Sequence, residues 1–417
     1  MSYYILPKIN ENIDILPIDS SSNMCELCIS YSLFNYYNQS ISEIERSIKT
    51  MNKNTTEIST TSKADLLLNN YKNIYGLVNP YEFIFSRVPG SKYSVSKLKP
   101  TTCLFYDFLE ISVTLDIFEP FKDGPIQSLH ITNNYNDINE CFEMIREDYS
   151  DKIMYFDEVN DENIRLINDQ RFHFLFLETK NNDLNTYIIS MLEYVMIILK
   201  YTEIGGTCII KFDHIFHKPI IDILYFLSSL FEKVYILKPN TSNITTFEKY
   251  IICKGFQANE TKLKNLKLNY YRILVFLKKL ENRDILSVID ISIPYYFTIK
   301  INDINNIIGQ QQLESLDLIM NTLKNKNKDD KIELIQKSNI QKSVAWCEKY
   351  KIPCNKFFEK TNIFLPIIKD PKPNKEDNDI LDTLVYVEIP IPDIEIHNTV
   401  NVEIQTASVE TQTDLYE

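Results

Sequence analysis

Residues 204–256 constrain this chain more than any other stretch. They read I-G-G-T-C-I-I-K-F-D-H-I-F-H, then an apolar-periodic run to Phe231, then V-Y-I-L-K-P-N-T-S-N-I-T-T-F-E-K-Y-I-I-C-K-G-F. Short apolar runs bounded by turn residues indicate buried strands, and a helical apolar period indicates a covered helix. The stretch is therefore predicted as a Gly-Gly turn, a buried strand ending at Lys211, a helix, a strand over 234–237, a polar Ser/Thr/Asn loop and a strand over 250–253. This succession puts Lys211 at a strand end and Glu248 just before the last strand. Strand ends of open α/β sheets are where ligand chemistry collects.

The chain upstream continues the same alternation. A first core strand is expected over 126–131 (I-Q-S-L-H-I), a helix over 138–147, a second strand over 152–156, and a strand over 172–177 (F-H-F-L-F-L) that is apolar on both faces, as a central parallel strand requires. An amphipathic helix over 183–200 leads back to the Gly-Gly pair. Before the first strand, 81–88 reads as a strand or entry segment, 91–100 is S-K-Y-S-V-S-K-L-K-P, and a helix follows over 104–118 with Pro100 as a helix-start residue. Asp157 follows the second strand. An acid there either meets ribose hydroxyls or is an ordinary strand-end carboxylate. His214-x-x-His217 reads as a surface pair. Cys25-Glu-Leu-Cys28, with Cys347 and Cys354 far downstream, reads as unlinked thiols rather than a zinc site. Eight cysteines without a secretory start imply a reducing compartment.

The net charge of −13 excludes a uniformly basic RNA binder, but it is unevenly placed. The last 42 residues hold eleven Asp or Glu and no Lys or Arg, which leaves 44 basic against 46 acidic side chains in residues 1–375. The body is near neutral and can carry a local basic face. A helix over 259–280 has lysines at 262, 264, 267, 278 and 279 that either face RNA phosphates or are simply solvated. A helical region over 313–349 is expected to break at 324–331. No apolar run has membrane-spanning length, and the Pro-containing acidic end reads as disordered.

In this order, G-G-x-x-x-x-K, a helix, K-P-x-x-S and E-x-Y-I resemble the C-terminal half of FtsJ-like (RrmJ-type) RNA ribose 2′-O-methyltransferases, and the resemblance extends over residues 76–256. It implies a Rossmann-like α/β methyltransferase fold, here with an N-terminal extension (1–75), a mainly helical C-terminal region (257–367) and the acidic tail (368–417). It also implies a Lys-Asp-Lys-Glu tetrad. Lys211 matches the second lysine and Glu248 the glutamate. Lys97, in S-K-L, matches the first lysine or is a solvated basic turn. Glu178 stands where the family has aspartate, one methylene longer. S-adenosylmethionine is the implied cofactor, held by the loop after the first strand and by Asp157. In the family that loop is glycine-rich. This chain has only seven glycines and reads Thr132-Asn133-Asn134-Tyr135-Asn136-Asp137 there. Asparagine tolerates the left-handed conformation such a turn uses, but its side chain and the Tyr135 ring are expected where the methionine moiety would sit.

The segment over 91–100 looks most like versions encoded by large nucleocytoplasmic DNA viruses, which implies capped mRNA as substrate, viral mRNA-handling proteins as partners, and the host cytoplasm or virion as location. Two departures, the loop and Glu178, favour a degenerate, RNA- or cap-binding or scaffolding member. The alternative is an active cap 2′-O-methyltransferase, and a third reading is a virion adaptor. For the last, Thr411-Gln412-Thr413 resembles the anchor of peptides that add a strand to the dynein light chain.

Overall fold

The computed structural model describes residues 2–20, 25–55, 71–85, 94–179, 183–257, 260–280, 283–324 and 328–355. The expectations for the acidic tail and for Thr411, Gln412 and Thr413 lie outside these residues. Residues 1–358 make one compact unit.

Its centre is a seven-stranded mixed sheet. The strands in chain order are β1 (Ser2–Ile5), β3 (Gln127–Ile131), β4 (Lys152–Phe156), β5 (Phe172–Glu178), β6 (Thr202–Phe212), β7 (Phe231–Lys238) and β8 (Lys249–Phe256). The spatial order is β1-β7-β8-β6-β5-β3-β4. The β4, β3, β5 and β6 strands run parallel, whereas β8 slots between β6 and β7 antiparallel to both, and β1 pairs antiparallel with β7 at the edge. A separate ribbon pairs β2 (Ile15–Ser20) with β9 (Asp284–Ile289).

Period-2 alternation explains the two cores. On β5, Leu175 and Leu177 point into one apolar cluster while Phe174 and Phe176 point into the other. On β6, Cys208 and Ile210 face the first cluster and Ile209 the second. The helices Leu184–Tyr201 and Lys218–Leu230 cover one face. The former is apolar nearly all round because the sheet lies on one side of it and the helix Glu260–Lys279 on the other. Leu104–Thr114, Tyr135–Ile145 and the end of Lys328–Lys349 cover the opposite face, with Phe108, Phe118, Phe142, Phe174 and Phe176 meeting largely edge to face.

Three expectations are corrected. The Gly-Gly pair is a bulge inside β6 and not a turn before it. Gly205 takes φ +78°, a Cβ on Gly206 would meet the Glu203 carbonyl at 2.8 Å, and the β5–β6 register shifts at this point. The segment at 81–88 contains a 3₁₀ turn at Glu82–Ile84 in its described part, since Asn79 and Tyr81 carbonyls accept the local amides. The C-terminal helices begin earlier, as Tyr295–Lys324 and Lys328–Lys349.

Candidate active site

The strand order reverses direction between β3 and β5: from β3 the chain steps outward to β4, then returns to β5 on the other side. Crevices outside the carboxyl ends of strands at such a switch point are the usual ligand sites of this architecture. Three elements converge there: the end of β3 with Thr132, the end of β5 with Glu178, and the end of β6 with Lys211.

Glu178 and Lys211 are register partners on adjacent parallel strands. Lys211 Nζ donates to Glu178 Oε1 at 2.8 Å and forms an ion pair with Glu248. The three side chains are 19%, 19% and 32% exposed, so the cluster opens to solvent without dissolving into it. One ammonium between two carboxylates leaves a local charge of −1.

The backbone around the cluster is tightly held. Thr179 donates its amide and hydroxyl to the Lys211 carbonyl at 3.0 and 3.1 Å, and Tyr194 donates its hydroxyl to the Glu178 carbonyl. Glu248 arrives on the 239–248 loop, which Lys238 pins by donating to the Thr246 and Glu248 carbonyls, both at 2.8 Å. Burial, with the Lys249 charge nearby, pushes the Lys238 amine down to about 7.

Beneath Lys211 lies a set of buried acids that sequence spacing did not expose. Tyr250, opposite Lys211 in the β6–β8 register, donates to Asp107 at 2.9 Å, and Thr241 donates to the other Asp107 oxygen. One turn on, Glu110 Oε2 accepts the Asn240 amide at 3.0 Å and the Trp346 indole N–H at 3.1 Å, while Oε1 is buried without a partner. Burial raises both carboxyls, Glu110 to about 7. These partners are 130 or more residues apart in the chain, which is why no local pattern could reveal them.

The other anticipated residues are placed differently. Lys97 is exposed, with its amide donating to the Pro353 carbonyl at 2.8 Å, and it joins no ion pair with Glu178 or Glu248 among the described residues. Its segment is tied down by Asp137, a third acid the sequence reading passed over. Asp137 is buried and accepts the amides of Thr101 and Thr102 at 2.7 and 2.8 Å, fixing the turn that leads into Leu104–Thr114. Asp157 is exposed just after β4.

Within the loop, no residue from Thr132 to Asp137 has positive φ, so the left-handed turn expected of the asparagines is not used. The Asn134 amide bonds the Thr132 hydroxyl at 3.0 Å, and Asn133 and Asn136 face solvent. The Tyr135 ring does not enter the crevice either. It stacks on Tyr155 of β4, centroids 4.2 Å apart. Thr132 is 2% exposed, and its hydroxyl donates to Glu178 Oε2 and so ties the ends of β3 and β5 together. Thr132→Val, which keeps the shape and deletes the hydroxyl, should lower unfolding free energy by about 1–3 kcal/mol. Urea denaturation checks this, and an unchanged midpoint would mean the bond holds nothing.

The histidine pair is corrected as well. His217 is 7% exposed, its ring lies 5.1 Å from that of His214, and burial pushes both down to about 4. They are packed neutral rings and not a surface pair. Among the described residues no group of three His, Cys, Asp or Glu is disposed to hold a metal ion.

The FtsJ-like methyltransferase family model matches residues 154–256. That span contains Glu178, Lys211 and Glu248, and it begins after the Thr132–Asp137 loop and Lys97. Cap-specific mRNA (nucleoside-2′-O-)-methyltransferase 2 of Pongo abelii is 28% identical over 88 residues, covering 20% of this chain and 11% of that protein. Its Drosophila melanogaster counterpart is 32% identical over 72 residues, 17% and 10% of the two chains. The chain thus spans about a tenth of the curated relatives it matches. Among solved structures, a ribosomal RNA methyltransferase from Plasmodium falciparum aligns over 38% of this chain and 99% of its own, at 16% identity and a TM-score of 0.30. FtsJ-like methyltransferases typically use S-adenosylmethionine.

Proposed function

We propose that this protein is an FtsJ-fold member of a viral mRNA-handling system that binds capped RNA in the host cytoplasm and no longer transfers methyl groups. The observation that carries this reading is the Thr132–Glu178 hydrogen bond. It joins two side chains across the switch point and spends a Glu178 oxygen on the protein itself. A loop without glycine, without a left-handed residue and with its Asn134 amide already bonded offers no close backbone approach. These residues do not fit S-adenosylmethionine. Capped RNA as ligand draws support from the relatives, whose names specify the mRNA cap, and the viral setting from the S-K-Y-S-V-S-K-L-K-P segment.

A second reading, an active cap 2′-O-methyltransferase, is favoured by Lys211 bridging Glu178 and Glu248, the surviving part of the tetrad. Calorimetric titration separates the two. The proposed role predicts no heat with S-adenosylmethionine, alone or with RNA, and clear binding of capped RNA. Micromolar cofactor binding with methylation of a ribose hydroxyl, abolished by Lys211→Ala, would establish the enzyme instead.

A further inference from the structure

The helix Glu260–Lys279 has one settled side and one open side. Inward, Leu266 and Ile273 are buried and Asn269 brackets the chain near β2, accepting the Ile15 amide at 3.0 Å and donating to the Ile13 carbonyl at 2.9 Å. Outward, Lys264, Lys267, Tyr271, Val275 and Lys278 are all exposed. They follow at i, i+3, i+7, i+11 and i+14, which places them in a single stripe about 21 Å long. Lys279 is exposed beside it.

Six of the helix's residues are basic and one, Glu260, is acidic, in a chain of net charge −13. Among the described residues no ion pair engages Lys264, Lys267, Lys278 or Lys279, whereas Arg272 is matched by Asp14 at 3.1 Å. Next to the stripe runs a groove of about 550 Å³ walled by Leu16, Ile18, Tyr271 and Val275, with Asp290 as its acidic member. The stripe also has a direction. The Arg283 carbonyl, just past its Lys278 end, accepts from Asn185 at 3.0 Å, and Asn185 opens the helix that follows Glu178. That end therefore lies toward the sheet edge that carries the Glu178–Lys211–Glu248 cluster.

We propose that this face binds single-stranded RNA. Phosphates supply the counter-charge that the lysines lack within the fold. The Tyr271 ring, 60% exposed between them, gives a base a plane to stack on, and the apolar groove receives its edge. An acidic peptide would satisfy the lysines equally, but it would make no use of a ring standing between two cation pairs. The surface acts on RNA with or without a cap and so does not depend on cap recognition.

The test uses the full chain and a fluorescent 20-nucleotide oligouridine without a cap, with anisotropy read across a salt series. Each lysine–phosphate contact contributes roughly 0.7 to the slope of log affinity against log salt for a single strand. Replacing all four lysines together (K264Q, K267Q, K278Q, K279Q) should lower that slope by about 3 and weaken binding at least ~10-fold. Tyr271→Ala should weaken binding ~10-fold with the slope unchanged. All five positions are exposed, and circular dichroism confirms that the variants fold. An unchanged slope and affinity in the lysine variant overturns the proposal. So does a polyglutamate chain that binds as tightly as the oligouridine while Tyr271→Ala affects neither, which would make the face a protein-docking surface. Adding cap analogue in the same assay separates this surface from the proposed cap recognition: absence of any cap effect with the slope intact counts against binding of capped RNA alone.

Discussion

Arg146→Ala should lower the unfolding free energy by about 3–5 kcal/mol. The guanidinium is 2% exposed and forms an ion pair with Asp151, itself 6% exposed. It also donates to the Phe121 and Gly124 carbonyls at 3.0 and 2.8 Å and lies 4.2 Å over the Tyr149 ring. Removing it strands a buried carboxylate and two carbonyls together. Asp151 in turn accepts the Ile126 amide at 2.8 Å at the entry to β3, so the damage reaches the strand that delivers Thr132. Urea unfolding measures the loss. A double-mutant cycle with Asp151→Asn should recover part of it, because the second change removes the orphaned charge. A cost below about 1 kcal/mol for Arg146→Ala would show that water reaches the pair.

Raising the pH from about 4.5 to 7 should destabilise the protein through Glu110. Its carboxyl is raised from 4.5 to about 7 chiefly by burial, against the opposing Trp346 hydrogen bond. The folded state keeps this proton where the unfolded chain has released it. The stabilisation is therefore complete below about pH 4.5 and is lost as pH rises to 7, by about 3 kcal/mol at ~1.4 per pKa unit. At pH 8, Glu110→Gln should gain about 2 kcal/mol, since removal of the charge outweighs the ~1 kcal/mol cost of an amide hydrogen without an acceptor. Trp346 is the chain's single tryptophan and touches this carboxylate, so its fluorescence should titrate near pH 7 in the native protein and not in the variant. A flat titration in both would place the charge elsewhere. His130 acts with the opposite sign. Burial lowers it to about 4, so folding holds it neutral, and its contribution is lost as pH falls from 6.5 toward 4.

The parallel core was legible because its cause is local. A strand buried on both faces needs an uninterrupted apolar run, and F-H-F-L-F-L is one. Lys211, Glu178 and Glu248 could be placed by their positions beside strand termini, and the fold brings these three together. Sequence gave no view of side-chain direction at a loop. Thr132 was grouped with its neighbours as a cofactor contact, and only the backbone path shows that its hydroxyl turns to Glu178 while Tyr135 turns away to Tyr155. The same limit hid Asp107, Glu110 and Asp137, whose partners are distant in sequence, and β1, which is too short to announce itself. His214 and His217 were misjudged because a polar residue type suggested the surface, whereas Phe216 and Tyr187 pack against His214 and His214 packs against His217.

The pairing of Ser2–Ile5 with Tyr235–Lys238 also bears on biosynthesis. The β1 segment must wait for a partner made more than two hundred residues after it. At about 5–20 residues per second this delay lasts roughly ten seconds to most of a minute. Throughout it, Tyr3 and Ile5, exposed even in the finished sheet, travel without their β7 partners.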